Sequence, residues 1–179
     1  MRLALIVLLL FPVPAFAHVS VLPESSRPGE TVDLTFRVPN ERDEAATVRV
    51  DVFLPPGVPA EVAPHPGWTD TVLPTGEVRW TADEGETIGP GRTADFKVRL
   101  GPLPQEDRIV FKSLQHYADG QVVRWIQTSG PDDERPAAVL ALTATGGASG
   151  SSSTAWLALG IALAVIALTA VTLRRRRIM

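Results

Sequence analysis

Two stretches decide the fold class: TVDLTFRV at residues 31–38 and TVRVDVFL at residues 47–54. Apolar and polar residues alternate in both, and alternate residues of a β-strand point to opposite faces. The apolar side of the two stretches consists of Val32, Leu34, Phe36, Val38, Val48, Val50, Val52 and Leu54. The pattern therefore predicts two strands that each bury one face.

Similar short apolar segments recur at residues 77–81, 93–100, 108–117, 121–127 and 138–142. Proline–glycine pairs separate several of them, and Asp119-Gly120 is a two-residue hairpin signal because both residues tolerate a positive φ. No part of the middle of the chain has a convincing helical period. Strands at this spacing predict an all-β fold, an immunoglobulin-like β-sandwich over residues 18–142. Trp68 and Trp80 are expected in its core.

The amino-terminal end has the composition of a secretory signal peptide over residues 1–17. Arg2 gives the positive start, an apolar stretch follows, and Ala15 and Ala17 form a small-x-small cleavage site. The apolar run is too short to span a bilayer comfortably. We expect cleavage after Ala17.

The carboxyl-terminal end has the composition of a membrane anchor. Residues 155–173 contain no charge and no proline and have the length of one transmembrane helix. Four arginines begin residues 174–179, which predicts a basic cytoplasmic tail. Residues 143–154 are almost entirely Gly, Ser, Thr and Ala, which predicts a flexible tether. The expected location is the cell membrane, single-pass, with the β-domain on the extracytoplasmic face.

Charge and cysteine content exclude several classes of function. The chain has no cysteine, which excludes a disulfide scaffold, a thiolate metal site and a cysteine nucleophile. Without Arg2 and the arginines at 174–177, 12 basic residues remain against 20 acidic ones, a net charge of −8. No nucleic-acid partner is expected, because phosphate contacts need a basic face. A cation is the better partner.

Cleavage after Ala17 would make His18 the first residue of the mature chain. A first-position histidine offers an α-amine and an imidazole Nδ1 that close a chelate ring on one metal ion. The reference pKa values of these groups are about 7.7–8.0 and about 6.5, so both can lose their protons near neutrality. Nitrogen donors in a tetragonal arrangement favour Cu(II), and binding should weaken as the pH falls.

Several separated motifs follow one another along the chain: HVSV at 18–21 with Pro23, FRVPNE at 36–41, PGW at 66–68, YADG at 117–120 and VRW at 123–125. In this order they resemble the YcnI-like copper-binding proteins. The resemblance implies a β-sandwich that binds one Cu(II) ion through a brace with a single histidine. His18 would supply the amine and ring, Glu41 a carboxylate oxygen, and Trp125 an indole beside the copper. Such proteins are linked to copper handling at the cell surface, often alongside copper-import components.

The residues themselves support these roles unequally. Glu41 follows a predicted strand end, where a solvated acidic loop residue is the simpler interpretation. Trp125 shares a strand face with Val123, which is usual for a sandwich-core tryptophan, and its indole nitrogen only donates hydrogen bonds. A place beside copper would therefore mean packing, exclusion of water or a cation–π contact. The fourth equatorial ligand stays open between the Val19 amide, the Glu41 carboxylate and water.

The expected function is an extracytoplasmic, membrane-tethered Cu(II)-binding protein that holds or transfers copper and is not an enzyme. Its expected partners are the copper ion, the membrane and copper-import or copper-chaperone proteins. One alternative is a metal-free scaffold or adhesion module on a stalk. Another is a copper oxygenase in which His116 completes a two-histidine brace with His18. His65 lies in a proline-rich turn and is expected to be exposed and inert.

Overall fold

The computed structural model describes residues 18–128, 130 and 133–143, and within them twelve β-strands and no helix occur. The strands are β1 Ser20–Leu22, β2 Ser25–Ser26, β3 Val32–Pro39, β4 Thr47–Phe53, β5 Ala60–Val62, β6 Trp68–Val72, β7 Glu77–Ala82, β8 Thr93–Leu100, β9 Arg108–Phe111, β10 Ser113–Tyr117, β11 Val122–Trp125 and β12 Ala138–Leu142. The prediction of an all-β domain is confirmed for this part of the chain.

The strands form three sheets. A four-stranded sheet has the order β1-β3-β8-β5, a five-stranded sheet the order β11-β10-β4-β7-β6, and a three-stranded sheet the order β2-β12-β9. All pairs are antiparallel except β2 with β12. Strands β11 and β6 are the edges of the five-stranded sheet, so each is paired along one side only.

Aromatic side chains join the sheets into one core. Phe36 on β3 and Phe96 on β8 are register partners in the four-stranded sheet. Trp80 of the five-stranded sheet packs on both, with ring centroids 6.5 Å from Phe36 and 5.0 Å from Phe96. Phe111 of the three-stranded sheet meets Phe36 edge-on at 5.1 Å. All four rings are fully buried, and the expectation that Trp68 and Trp80 belong to the core is confirmed.

The alternating segments are found as strands, but one of them is divided. The apolar face of β3 points into the core, and so does that of β4 from Val50 onward. Val48 was expected on the same face but is half-buried and outside the core, because the register with β10 shifts at this point and buries Thr47 instead. Residues 108–117 form two strands, because the chain leaves the three-stranded sheet after Phe111 and enters the five-stranded sheet at Ser113. Alternate residues stay buried across this break, so the sequence pattern does not reveal it.

The predicted hairpin between β10 and β11 is present with a longer turn than expected. Gly120 N–H donates to Tyr117 O at 3.0 Å, and Tyr117 N–H donates to Gln121 O at 2.9 Å. Gly120 has φ +84°, whereas no non-glycine residue among those described has a positive φ. The loop therefore has three residues, 118–120, with only its last residue in the left-handed region, as in hairpins closed by a bulge.

Strand β1 fixes the position of His18. Ser20 pairs with Arg37 and Val21 with Phe36, so the chain before Ser20 lies toward the end of β3. Val19 and Val21 are buried in the common core. The alternation of the sequence did not predict this three-residue strand, which nevertheless brings the start of the domain toward the segment that carries Glu41.

The predicted targeting segments lie mostly outside the described residues. These are the signal peptide at 1–17, the tether at 143–154 except Thr143, the anchor at 155–173 and the tail at 174–179. Across the stretches that the structure does describe, no helix is long and apolar enough to cross a membrane.

Replacing Phe96 by alanine tests the aromatic core. The ring is fully buried against Trp80, Trp68 and His65, so its loss leaves a cavity between the sheets. We expect Phe96→Ala to lower the free energy of unfolding by about 3–5 kcal/mol, measured by urea denaturation. Val72→Ala is the control, because Val72 is 54% exposed. Equal losses in the two variants would contradict the described packing.

Candidate metal centre

His18 lies against the indole of Trp125. The two ring centroids are 5.6 Å apart and the ring planes meet at 87°, an edge-on contact. His18 is half-buried, and Trp125 is buried at the end of β11. Two of the three residues predicted for the metal site are therefore in contact, although 107 positions separate them in the chain.

The strand register determines which way Trp125 points. Trp125 pairs with Ser113 and Val123 with Gln115, and these four side chains share the inner face of the five-stranded sheet. The neighbouring residues Val122, Arg124 and Ile126 are exposed on the other side of the strand. The alternation predicted for this segment is confirmed.

Glu41, which follows the end of β3, also lies near Trp125. It is exposed and lines a surface cavity of about 290 Å³ together with Trp125. The other lining residues are Pro39, Arg42, Tyr117, Val123, Glu134 and Arg135. The structure thus brings Glu41 to a cavity that has Trp125 as one wall, while His18 contacts the same indole.

Asn40 holds the segment that carries Glu41. Its side chain is buried, and Nδ2 donates to Ala45 O and Ile88 O, both at 2.8 Å. Its Oδ1 accepts from the backbone N–H of Arg42 at 3.0 Å. Three hydrogen bonds from one side chain therefore set the backbone on both sides of Glu41. The motif FRVPNE contained Asn40, but nothing in the sequence showed this role.

Arg42 and Tyr117 set the electrostatics of the cavity wall. The Arg42 guanidinium pairs with Asp119 at 2.8 Å and lies 4.9 Å above the Tyr117 ring. Burial raises the pKa of the Tyr117 phenol, which therefore stays neutral at physiological pH. A hydrogen bond from the Gln121 backbone and the Arg42 charge lower the pKa of Asp119, which stays ionised. The negative charge of Asp119 therefore partly neutralises the positive charge of Arg42 beside the cavity.

Gln115 is a buried polar residue that the sequence analysis missed. Its Oε1 accepts from Trp125 Nε1 at 3.0 Å. Its Nε2 donates to Pro39 O at 3.0 Å and to Thr47 Oγ1 at 2.8 Å. The available signal was a glutamine at an inward position of a strand whose inward neighbours are Ser113 and Tyr117.

The comparisons with known proteins agree with this architecture. A model of a domain family described as a domain of unknown function, DUF1775, matches residues 18–142. The chain belongs to the DUF1775 family. This match and the copper-binding relative described next together confirm the resemblance to YcnI-like proteins.

Two relatives of this DUF1775 chain are informative. The copper-binding protein CutI of Bacillus subtilis (strain 168) is 30% identical over 141 residues, which cover 76% of this chain and 67% of CutI. A protein of Nocardia farcinica, whose crystal structure was described as an immunoglobulin-like fold, is 39% identical with a TM-score of 0.64. That match covers 70% of this chain and 98% of the other. The predicted immunoglobulin-like sandwich is confirmed.

His116 lies on the other face of the sheet from Trp125 in this DUF1775 chain. It pairs with Val122 on the outer face, whereas its neighbour Gln115 points inward to Trp125. His116 Nε2 lies 2.9 Å from Asp51 Oδ2 and 2.8 Å from Arg49 Nη2. The structure therefore does not bring His116 to His18, as a two-histidine brace would require.

His65 was expected to be exposed, but it is half-buried. Trp68 N–H donates to His65 O at 3.0 Å, and Gly67 has φ +76°, so residues 65–68 form a type II turn with Pro66 at its second position. The turn places the half-buried imidazole against Phe96 at 4.8 Å and against Trp68 at 6.3 Å. His65 therefore packs against the edge of the aromatic core.

No group of three or more histidine, aspartate and glutamate side chains suited to a metal ion occurs among the residues that the structure describes. The brace predicted from the sequence differs from such a cluster, because the α-amine and the ring of His18 would supply two of its donors.

Replacing Asn40 by alanine tests how the Glu41 segment is held. The variant leaves the carbonyls of Ala45 and Ile88 and the N–H of Arg42 without their partner. We expect Asn40→Ala to cost about 1–3 kcal/mol in the free energy of unfolding, measured by urea denaturation. Glu44→Ala, at an exposed position of the same loop, is the control. A cost no larger than that of the control would show that Asn40 does not anchor this segment.

Proposed function

We propose that this chain is an extracytoplasmic, membrane-tethered protein that holds or transfers Cu(II). In this proposal His18 becomes the mature amino terminus, and its α-amine and imidazole chelate the ion as a single-histidine brace. Glu41 adds a carboxylate oxygen and Trp125 lies beside the copper. Residues 155–173 anchor the domain in the cell membrane.

The edge-on contact between His18 and Trp125 is the observation that carries the proposal. His18, which would offer two nitrogen donors after cleavage, lies against a buried aromatic wall. Glu41 lines the cavity next to that wall and supplies the acidic oxygen. The name of the relative CutI, a copper-binding protein, supports copper as the ion.

The chemistry of the donor set favours Cu(II). The chain has no cysteine, so no thiolate can select Cu(I), and the donors are two nitrogens and one oxygen. Amine and imidazole nitrogens suit the tetragonal geometry of Cu(II). Acidic residues outnumber basic ones in the middle of the chain, which favours the approach of a cation within a Debye length of about 8–10 Å.

Trp125 contributes an aromatic wall in this proposal. An indole nitrogen has no lone pair for a metal, and Trp125 Nε1 already donates to Gln115. The indole can therefore act through its ring, by excluding water from the bound ion and by cation–π attraction.

Holding or passing on the ion, without catalysis, fits the position of His116. The oxygenase alternative needs a second histidine at the copper, and His116 is engaged with Asp51 and Arg49 on the opposite face of the sheet. We propose copper-import or copper-chaperone proteins as the partners that exchange the ion with this domain.

Acetylation of the mature amino terminus tests the brace. It keeps the imidazole of His18 but removes the α-amine as a donor, and near pH 6.5 it acts on the α-amine ahead of lysine, whose reference pKa is about 10.4. We expect one-to-one Cu(II) binding in the untreated protein and an affinity lower by about 100-fold or more in the acetylated protein, because two linked donors gain about 10²–10⁴ over either alone. The full chain is expressed with its own leader, its amino terminus and its acetylation are verified by mass spectrometry, and copper is titrated calorimetrically.

Two histidine variants serve as matched controls. His65→Ala and His116→Ala each remove an imidazole that the proposal leaves away from the copper, so both should bind Cu(II) like the wild-type protein. Equal binding by the untreated and acetylated proteins would move the site to internal residues. No binding by either would favour the metal-free scaffold.

A further inference from the structure

Gln115 occupies a position from which it can organise the proposed copper site. It is fully buried, and its three hydrogen bonds reach β11 at Trp125, the end of β3 at Pro39 and β4 at Thr47. We infer that Gln115 is a positioning residue that fixes the Trp125 indole relative to the segment carrying Glu41 before copper binds. This inference rests on the proposed function.

The orientation of the Gln115 amide follows from its partners. The indole Nε1–H of Trp125 can only donate, so the amide oxygen must face it. The carbonyl of Pro39 can only accept, so the amide nitrogen must face that side. A flipped amide would lose both bonds. The side chain therefore has one arrangement that satisfies its neighbours.

Burial restricts Gln115 to this one arrangement, because water cannot replace a lost hydrogen bond. A buried polar group without a partner costs free energy, so the Trp125 N–H and the Pro39 carbonyl both disfavour moving away from Gln115. An indole held only by apolar packing would lack such a directional restraint. Gln115 thus couples the rotation of the Trp125 ring to the position of the β3 end.

The β3 end leads directly to the proposed oxygen ligand. Glu41 follows Pro39 by two residues, and Asn40 between them has its own three hydrogen bonds. Gln115 and Asn40 together define where the Glu41 backbone lies with respect to Trp125. A site whose side chains are already ordered loses less conformational entropy when it binds the ion.

Replacing Gln115 by methionine tests the inference. Gln115→Met keeps a similar length but removes the acceptor for Trp125 and the donor for Pro39. We expect the affinity for Cu(II) to fall by about tenfold, the lower end of the usual effect when a residue that orients a metal site is lost. The Cu(II) EPR spectrum should change as well. The full chain, expressed with its own leader, is titrated with Cu(II).

Val78→Ala is the control for destabilisation alone. Val78 is fully buried in the same five-stranded sheet, but on β7, which β4 and β10 separate from β11. We expect it to lower stability while leaving the copper affinity and the EPR spectrum as in the wild-type protein.

The outcomes separate this inference from the proposed function. An unchanged affinity and EPR spectrum in Gln115→Met, with copper bound by the wild-type protein, would overturn the positioning role alone. An equal loss of Cu(II) affinity in Gln115→Met and Val78→Ala would also overturn the positioning role. A wild-type protein that binds no Cu(II) would instead overturn the proposed function, and the inference with it.

A measurement on the copper-free wild-type protein does not depend on how the variants fold. The Trp125 indole N–H should exchange with solvent at least about tenfold more slowly than an exposed indole N–H, because it is buried and hydrogen-bonded. Nuclear magnetic resonance of the indole protons measures this directly. Exchange at the rate of an exposed indole would contradict a Trp125 ring fixed by Gln115 before copper arrives.

Discussion

The antiparallel pairing of β1 with β3 is the constraint on which the candidate metal centre depends. Three residues of β1 pair with residues of β3, and buried Val19 and Val21 anchor the segment in the core. This pairing holds His18 near the point where β3 ends and the Glu41 segment begins. The β11 edge strand then supplies Trp125 as the wall that His18 touches. Without β1, the first residue of the proposed mature chain would have no fixed relation to either residue.

Much of the fold could be predicted from alternation, and what could not has a physical reason. The long strands β3 and β8 bury one face each, which leaves a period of two in the sequence. Strand β4 also alternates in sequence, although it buries Asp51 between Val50 and Val52. Strands β1, β2 and β5 have three residues or fewer, too short for a period to stand out. From β9 to β10 the chain changes sheets while every second residue stays buried. The alternation in the sequence therefore continues across the break, and only the tertiary structure reveals it.

The residues of the candidate site could be proposed from the sequence, but their arrangement could not. The predicted terminal position of His18 and the motif resemblance pointed to His18, Glu41 and Trp125, and the structure brings the rings of His18 and Trp125 into contact. The sequence could not show that Gln115 bonds to Trp125, because an inward glutamine follows the same alternation as an apolar residue. Nor could it show the outward direction of His116, whose strand face depends on the register with β11.

The central claim is that copper is held by one histidine, and pulsed EPR tests it most directly. The full protein is loaded with one equivalent of Cu(II) after expression with ¹⁵N-imidazole histidine. The account predicts nuclear coupling from a single imidazole ring together with coupling from an amine nitrogen that disappears when the amino terminus is acetylated. Coupling from two imidazoles would bring a second histidine to the ion and contradict the single-histidine brace, as would the absence of any imidazole.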